Sequence, residues 1–340
     1  MTKILLTGGS GFIAAHILEQ LLQQGHSVVT TVRSEDKAQK IREAYKDAGD
    51  KLDIAIVPDI AREDAFDEVV KTPGLEAVLH TASPFHFNWT DPKRELVDPA
   101  VIGTTAILRA LHRSAPSVKR VVITSSFASI IDEAHLDDPA TVYDEKHWNP
   151  VTLEDINRSK ATAYRASKKL AERAAWDFVA AEKPAFDLVT ICPPLVLGPV
   201  VHHLATLDAI NTSNERVVQL VRGQWREAIP DTGAAFLWID VRDLATAHVR
   251  ALERPEAGGR RLFTTAGLFS NAEIARVVRE RFPDFADRLP GPDVKGGELP
   301  PKDKVYGYDN SATNALLGIE WRSLDESITD LVKVLKSFGV

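Results

Sequence analysis

From residue 4 to residue 192 the chain alternates short apolar runs with longer runs of helical spacing, and few folds accept that rhythm. Ile4–Thr7, Ser27–Val32, Leu52–Val57, Ala77–Thr81, Val121–Ser125 and Leu188–Cys192 read as strands. Between them Phe12–Gln24, Glu35–Ala48, Ala65–Lys71, Arg94–Arg113 and Ala161–Ala181 carry apolar residues at helical spacing, with Gly25 and Gly49 as stops. Strands joined through helices return in the same direction, so the expected core is a parallel sheet with helices on both faces: an α/β, doubly wound Rossmann fold.

After Pro193-Pro194 the rhythm stops. Gly198-Pro199, His202-His203 and a helical stretch Glu215–Arg222 indicate that the chain leaves the sheet there. Phe236–Asp243 reads as a strand entering a helix over Leu244–Leu252, with Asp243 as its N-cap, and Leu262–Thr265 as a further strand. Ser270-Asn271-Ala272-Glu273 and Ser323-Leu324-Asp325-Glu326 have capping-box spacing and open helices ending near Arg281 and Ser337. The Pro-, Gly- and charge-rich stretch Asp287–Asp303 reads as a surface loop. The expected division is a dinucleotide-binding unit of residues 1–195 plus about 235–255 and a smaller substrate-binding cap of about 196–234 plus 256–340.

Composition removes several alternatives. At 44% hydrophobic and 26% charged residues, the chain has material for a core and is too apolar for disorder. Its net charge of -7 and lack of a Lys/Arg block leave no footprint for nucleic acid. One cysteine, Cys192, forms neither an internal disulfide nor a paired-Cys zinc site, which fits a reducing compartment. His80 and His202-His203 lack partners at ligand spacing, so no metal is expected. No signal peptide or membrane span is legible, and a cytoplasmic protein without a membrane partner is expected.

Thr7-Gly8-Gly9-Ser10-Gly11-Phe12-Ile13-Ala14 follows the first strand and opens the first helix, the context of a dinucleotide fingerprint. Gly8 permits the tight turn, Gly11 admits a pyrophosphate to the helix N-terminus, and Ala14 allows close packing on the sheet. Gly8, Ser10, Gly11, Phe12 and Ile13 are the candidate contacts. The second strand ends Thr31-Val32-Arg33-Ser34 with no acid before Glu35. Arg33, with Lys37 a turn onward, suits a 2′-phosphate, so NADP(H) is expected rather than NAD(H). Asp59 and Ile60, past the third strand, belong near the adenine edge.

Tyr164 and Lys168 stand four apart within a predicted helix, on one face. An ammonium there stabilises phenolate and should lower the tyrosine pKa, making Tyr164 a usable acid or base. Val121–Ser125 ends in hydroxyl residues at the carboxyl edge of the sheet, where ligands of open α/β sheets bind. Position past the strand favours Ser126 over Ser125 as the hydroxyl facing a substrate oxygen.

Taken together, the Gly turn, Ser126 and the Tyr164/Lys168 pair resemble the short-chain dehydrogenase/reductase family, and the length with a C-terminal cap resembles its extended branch. More narrowly, Val57-Pro58-Asp59-Ile60, Leu79-His80-Thr81-Ala82-Ser83-Pro84-Phe85, Thr124-Ser125-Ser126-Phe127 and Ile239-Asp240-Val241-Arg242-Asp243 resemble fungal methylglyoxal/isovaleraldehyde reductases and plant dihydroflavonol reductase. The resemblance implies NADPH-dependent reduction of aldehydes and ketones, with Tyr164 protonating the carbonyl oxygen, Ser126 positioning it, and Lys168 holding the nicotinamide ribose. It further implies cofactor contacts from Thr81, Ala82 and Ser83 and from Pro193, Leu195 and Val196. Leu195 stands where close relatives can carry an aromatic.

Phe85, Phe87, Trp89, Phe127, Leu195, Leu204 and Trp238 are candidate pocket residues, although core packing explains Trp89 and Trp238 as well or better. Such an apolar lining favours a small neutral carbonyl compound over a sugar nucleotide. A nucleotide-sugar epimerase or dehydratase and a non-catalytic NADP-sensing regulator are the alternatives, and a monomer or homodimer is expected.

Overall fold

The computed structural model describes residues 2–83, 89–201, 204 and 206–340. The six expected strands form as β1 (Lys3–Thr7), β2 (Ser27–Val32), β3 (Leu52–Ile56), β4 (Leu75–His80), β5 (Arg120–Thr124) and β7 (Asp187–Cys192), with β6 (Val142–Tyr143) a short extra strand outside the sheet. A seventh sheet strand, β10 (Arg261–Phe263), pairs with β7, so the main sheet continues past the residue 255 limit read from the sequence. The order is β10-β7-β5-β4-β1-β2-β3, and every neighbouring pair is parallel. From β1 the chain winds outward through β2 and β3, then returns to wind the other way from β4. The switch therefore falls between the carboxyl ends of β1 and β4, where such sheets open a crevice.

Helices α1 (Phe12–Gln23) and α6 (Val241–Glu253) cover one face, burying Ile17, Leu18, Leu21, Leu244 and Ala247 against Ile4, Leu6 and Ile191. On the other face, α3 (Asp98–Ser114) and α4 (Lys160–Glu182) contribute Ile107, Leu108, Leu111 and Ala175, packed on Leu5, Val78 and Val121. Helix α2 (Glu35–Ala44) is shorter than its apolar spacing suggested, because a 3₁₀ turn over Lys46–Lys51 containing Gly49 at φ 55° replaces its last turn. Ala65–Lys71 is not an α-helix. Phe66, Val69 and Val70 are buried beside α3, but irregular turns and a 3₁₀ turn at Val69–Lys71 suffice to point them inward.

Beyond the main sheet, β8 (Leu195–Leu197), β9 (Leu237–Asp240) and β11 (Gly267–Leu268) form a three-stranded sheet. Helices α5 (Thr212–Val221), α7 (Asn271–Arg281) and α9 (Leu324–Lys336) share a separate core with it, around Trp225, Trp238, Phe269 and Leu331. The hydroxyls of Ser270 and Ser323 accept from the N–H groups of Glu273 and Glu326, at 3.1 and 3.2 Å, so each serine caps its helix through one half of the expected box. The N-cap of α6 is Asp240 rather than Asp243: β9 runs straight into the helix, and the Asp240 carboxylate accepts from the Arg242 N–H at 2.8 Å. Asp243 lies inside the first turn and instead binds the Arg322 N–H at 2.6 Å. Helix α8 (Ser311–Leu317) follows β12 (Gly307–Tyr308), which pairs with β6. Among the described residues no helix is long and apolar enough to cross a membrane.

Buried imidazoles lock the strand ends that frame the crevice. His80, ending β4, meets the Thr7 hydroxyl at 2.9 Å, and that hydroxyl accepts from the Ala82 N–H at 3.1 Å. The Thr7 hydroxyl thus ties His80 to the backbone just past β4. On α6, His248 Nδ1 donates to the Leu244 carbonyl at 2.8 Å, leaving Nε2 to accept from the Thr124 hydroxyl at 2.7 Å. Burial, with the Lys168 charge adding, drives the His80 pKa down to about 3; burial takes that of His248 to about 4. The unfolded chain binds protons near pH 6.5 that the folded chain refuses, so stability is complete above pH 6.5 and falls as pH drops toward 4. Each histidine contributes roughly 1 kcal/mol per pH unit in that window. Thermal melts between pH 7 and 4.5 should show this decline, and His248→Asn should flatten part of it; an unchanged slope would remove His248 from the account.

Candidate active site

Two glycines make the turn after β1 possible. Gly8 has φ +77°, which favours glycine, and a Cβ on Gly9 would fall 2.1 Å from the Thr30 hydroxyl of β2. The second requirement depends on a neighbouring strand, so it was not legible in the local motif. Gly11 is the extended N-cap of α1 and offers no side chain to its first N–H groups, and the first turn contains no acid. An uncapped, unneutralised helix start at the switch point fits an anion such as a pyrophosphate. Phe12 and Ile13, half-buried, begin the helix.

Arg33 is exposed just past β2. The pKa of Lys37 is lowered by partial burial and by the charges of Arg33 and Lys40. This crowding of cations fits a phosphate better than a ribose hydroxyl pair. Lys37 and Lys40 line a cavity of about 280 Å³ with Gly9, Ser10, Tyr45 and Leu204. Lys40 was missed in the sequence, though it stands one further turn along the Lys37 face. The Asp59 carboxylate caps its own turn, accepting from the Ala61 N–H at 2.8 Å, while Ile60 is half-buried beside it.

Across the crevice, β5 and α4 bring Ser126, Tyr164 and Lys168 together. The Ser126 hydroxyl stands near enough to the Tyr164 phenol to favour its ionised form. The Lys168 Nζ lies 6.0 Å from the Tyr164 ring centre and donates to the Ser83 hydroxyl at 3.2 Å, linking α4 to the end of β4. The electrostatics differ from the sequence expectation. Burial raises the Tyr164 pKa and outweighs the opposing influence of Ser126, so the group remains a phenol rather than drifting toward phenolate. Lys168 itself is pushed down to about 8 by burial.

Ser125 and Ser126 have separate positions. The Ser125 hydroxyl donates to Glu172 at 2.6 Å and is turned into the protein, whereas Ser126 faces the phenol. Glu172 also accepts from Ser129 at 2.5 Å and Thr190 at 2.7 Å and pairs with Arg261 at 2.7 Å. Sequence reading overlooked this carboxylate; its place eight residues after Tyr164 on the same helix was the available signal.

The expected pocket residues divide. Phe127 is not a pocket wall: it is 2% exposed, stacks on Phe263 at 5.2 Å and packs edge-on against Tyr143. Trp238 is likewise core, in the cap cluster. Trp89 packs on the core cluster of Leu96 and Ala166. Leu195 is half-buried, while Val196 points into the main core and Pro193 accepts the Phe127 N–H through its carbonyl at 2.8 Å. Thr81, Ala82 and Ser83 line the end of β4, with the Thr81 hydroxyl donating to the Thr7 carbonyl at 2.6 Å. Phe85 and Phe87, together with His202 and His203, lie outside the described residues.

The chain is 47% identical over 332 residues to the ketoreductase azaE of Aspergillus niger, covering 97% of this chain and 96% of that one. It is 35% identical over 343 residues to the NADPH-dependent methylglyoxal reductase GRE2 of Saccharomyces cerevisiae, covering 99% and 98%. The crystal structure of yeast methylglyoxal/isovaleraldehyde reductase Gre2 complexed with NADPH superposes with a TM-score of 0.89 at 34% identity, over 99% of both chains. Residues 4–264 match the model of the NAD dependent epimerase/dehydratase family. On the crevice at the strand switch, the glycine turn that opens α1 and the agreement of nearly the whole chain with these reductases, the protein belongs to the NAD dependent epimerase/dehydratase family, the extended short-chain dehydrogenase/reductases.

Proposed function

We propose that this chain is an NADPH-dependent carbonyl reductase that converts small neutral aldehydes and ketones to alcohols, with Tyr164 as proton donor. The placement of Tyr164 at the sheet edge beside the strand switch, with Lys168 Nζ 6.0 Å from its ring centre and bonded to Ser83 at the end of β4, carries the reading. A reductase needs an acid at the carbonyl oxygen, and a phenol whose pKa is raised keeps its proton throughout the neutral range. The similar chains named as NADPH-dependent reductases support reduction over epimerisation.

Bound NADPH supplies the hydride, and the protein supplies the remaining chemistry. Gly8, Ser10 and Gly11 would hold the pyrophosphate, and Arg33, Lys37 and Lys40 the 2′-phosphate. Ser126 orients the carbonyl oxygen by donating a hydrogen bond. Tyr164 gives up its proton to that oxygen as negative charge develops there. Lys168, steadied by Ser83, lies where its charge would stabilise the resulting phenolate and hold the nicotinamide ribose. Residues 1–195 with about 235–263 form the cofactor unit in this reading, and the rest forms the cap that shapes the substrate site, with Leu195 on its wall.

Tyr164→Phe should lower kcat for NADPH oxidation with an aldehyde or diketone about 100- to 10,000-fold while leaving NADPH affinity by fluorescence titration intact. Turnover near wild type would defeat the assignment. Arg33→Ala should raise the KM for NADPH on the order of 10-fold or more with little change for NADH, the loss of one charge-assisted phosphate contact. Equal effects on both cofactors would place the 2′-phosphate elsewhere. Because Lys168 is cationic only below a pKa of about 8, kcat/KM for reduction should fall as pH rises through that value. A profile flat to pH 9.5 would show that the Lys168 charge is not needed.

A further inference from the structure

The buried carboxylate of Glu172 has no part in the steps above, yet it is the most heavily bonded side chain near them. Each residue of an α-helix turns it roughly 100°, so Glu172 lies roughly 80° around α4 from Tyr164 and faces the strands rather than the crevice. Its side chain is 1% exposed. One oxygen accepts from the Thr190 hydroxyl and from Arg261 Nε, each at 2.7 Å. The other accepts from Ser125 at 2.6 Å and Ser129 at 2.5 Å.

Those two serines bracket Ser126. Phe127–Ser129 forms a single 3₁₀ turn with Ser126 as its cap, and the Ser126 hydroxyl accepts from the Ala128 N–H at 3.1 Å. The Ser126 carbonyl accepts from the Ser129 N–H at 2.9 Å. The Ser129 hydroxyl has one proton, and the carboxylate is a stronger acceptor for it than the Ser126 carbonyl at 2.7 Å. Both ends of the five-residue segment Ser125–Ser129 are thereby tied to one carboxylate. Arg261, from β10, balances that charge and is fixed in turn: it donates to the carbonyls of Glu145 and His147 at 2.8 and 2.6 Å and lies 3.7 Å over the Trp148 ring. Burial pushes the Glu172 pKa up, but the bonds and charge of Arg261 and the two serine hydroxyls outweigh it, so the group stays ionised.

From this geometry we infer that Glu172, backed by Arg261, is a positioning residue for Ser126: one helix carries both the proton donor and the clamp that sets its hydroxyl partner. Helix α4 then acts as a common reference, and the spacing between Ser126 and Tyr164 cannot drift without breaking bonds to a buried carboxylate. This rests on the reductase reading, since the clamp matters only if Ser126 does. Losing it misplaces a substrate-orienting hydroxyl by a fraction of an ångström to an ångström, enough to slow turnover without altering cofactor binding.

A double-mutant cycle tests it, using steady-state reduction of methylglyoxal by NADPH and NADPH titration of each variant. Glu172→Gln keeps the shape but removes the charge and one strong acceptor, and is expected to lower kcat about 10- to 100-fold with the NADPH Kd unchanged. In the Ser126→Ala background the same change should lower kcat less than about twofold, because the group it positions is gone. If Glu172→Gln does not fold, Ser129→Ala replaces it, removing one tie while leaving the ion pair intact; a several-fold kcat loss that vanishes in the Ser126→Ala background is then expected. An equal loss in both backgrounds, or near-normal kcat in the single variants, would overturn the clamp alone. Full turnover by Ser126→Ala would overturn the reductase reading of Ser126 and the clamp together.

Discussion

A half-buried tyrosine, with Ser126 and the Lys168 ammonium beside it, is the constraint on which the rest of this structure converges. Burial would make it an inert core phenol if it stood elsewhere. It becomes chemically useful because α4 delivers it to the edge of the sheet beside β4 and β5, where the parallel strands diverge at the topological switch. The fold thus provides the site twice: once by opening a crevice between β1 and β4, and again by running one long helix past it.

The locking of the strand ends follows from the same demand. His80, Thr81 and Ala82 are tied together through Thr7, and Thr124 is held by His248 from beneath the sheet. Each imidazole is kept neutral, so these bonds link strand termini without placing further positive charge in the crevice. The positive groups that do reach it, Lys168 beside Tyr164 and Arg33, Lys37 and Lys40 past β2, are separated by the glycine turn. That distribution suits a long polyanionic cofactor lying across the switch, with its extra phosphate at the β2 end.

Much of this was legible in the sequence, for physical reasons. Strands buried on both faces leave continuous apolar runs, and β1 to β5 and β7 were read within a few residues. The glycine turn and the Tyr164/Lys168 pair were legible because each is local, set by a turn or by helix spacing. The failures were nonlocal. Phe127 follows Ser126 in sequence, but the 3₁₀ turn sends its ring back against Phe263 and Tyr143. Asp243 looked like a cap because β9 was expected to run further. Ala65–Lys71 has apolar spacing that irregular turns satisfy equally well. The place of Glu172 on the helix of Tyr164 was legible, but its role was not, because its partners, Ser125 with Ser129, Thr190 and Arg261, come from three separate segments and meet only in the fold. The direction of the Tyr164 pKa also needed the structure, since burial and a neighbouring ammonium act in opposite senses and spacing alone does not say which prevails.

The central claim is that the Tyr164 phenol delivers the proton to a substrate oxygen. A crystal structure of the protein with NADPH and an unreactive carbonyl analogue tests it most directly. The account predicts the analogue oxygen within about 3 Å of both the Tyr164 and Ser126 hydroxyls, over the nicotinamide ring. An oxygen bound well away from Tyr164, with another acid or a water at that distance, would contradict it.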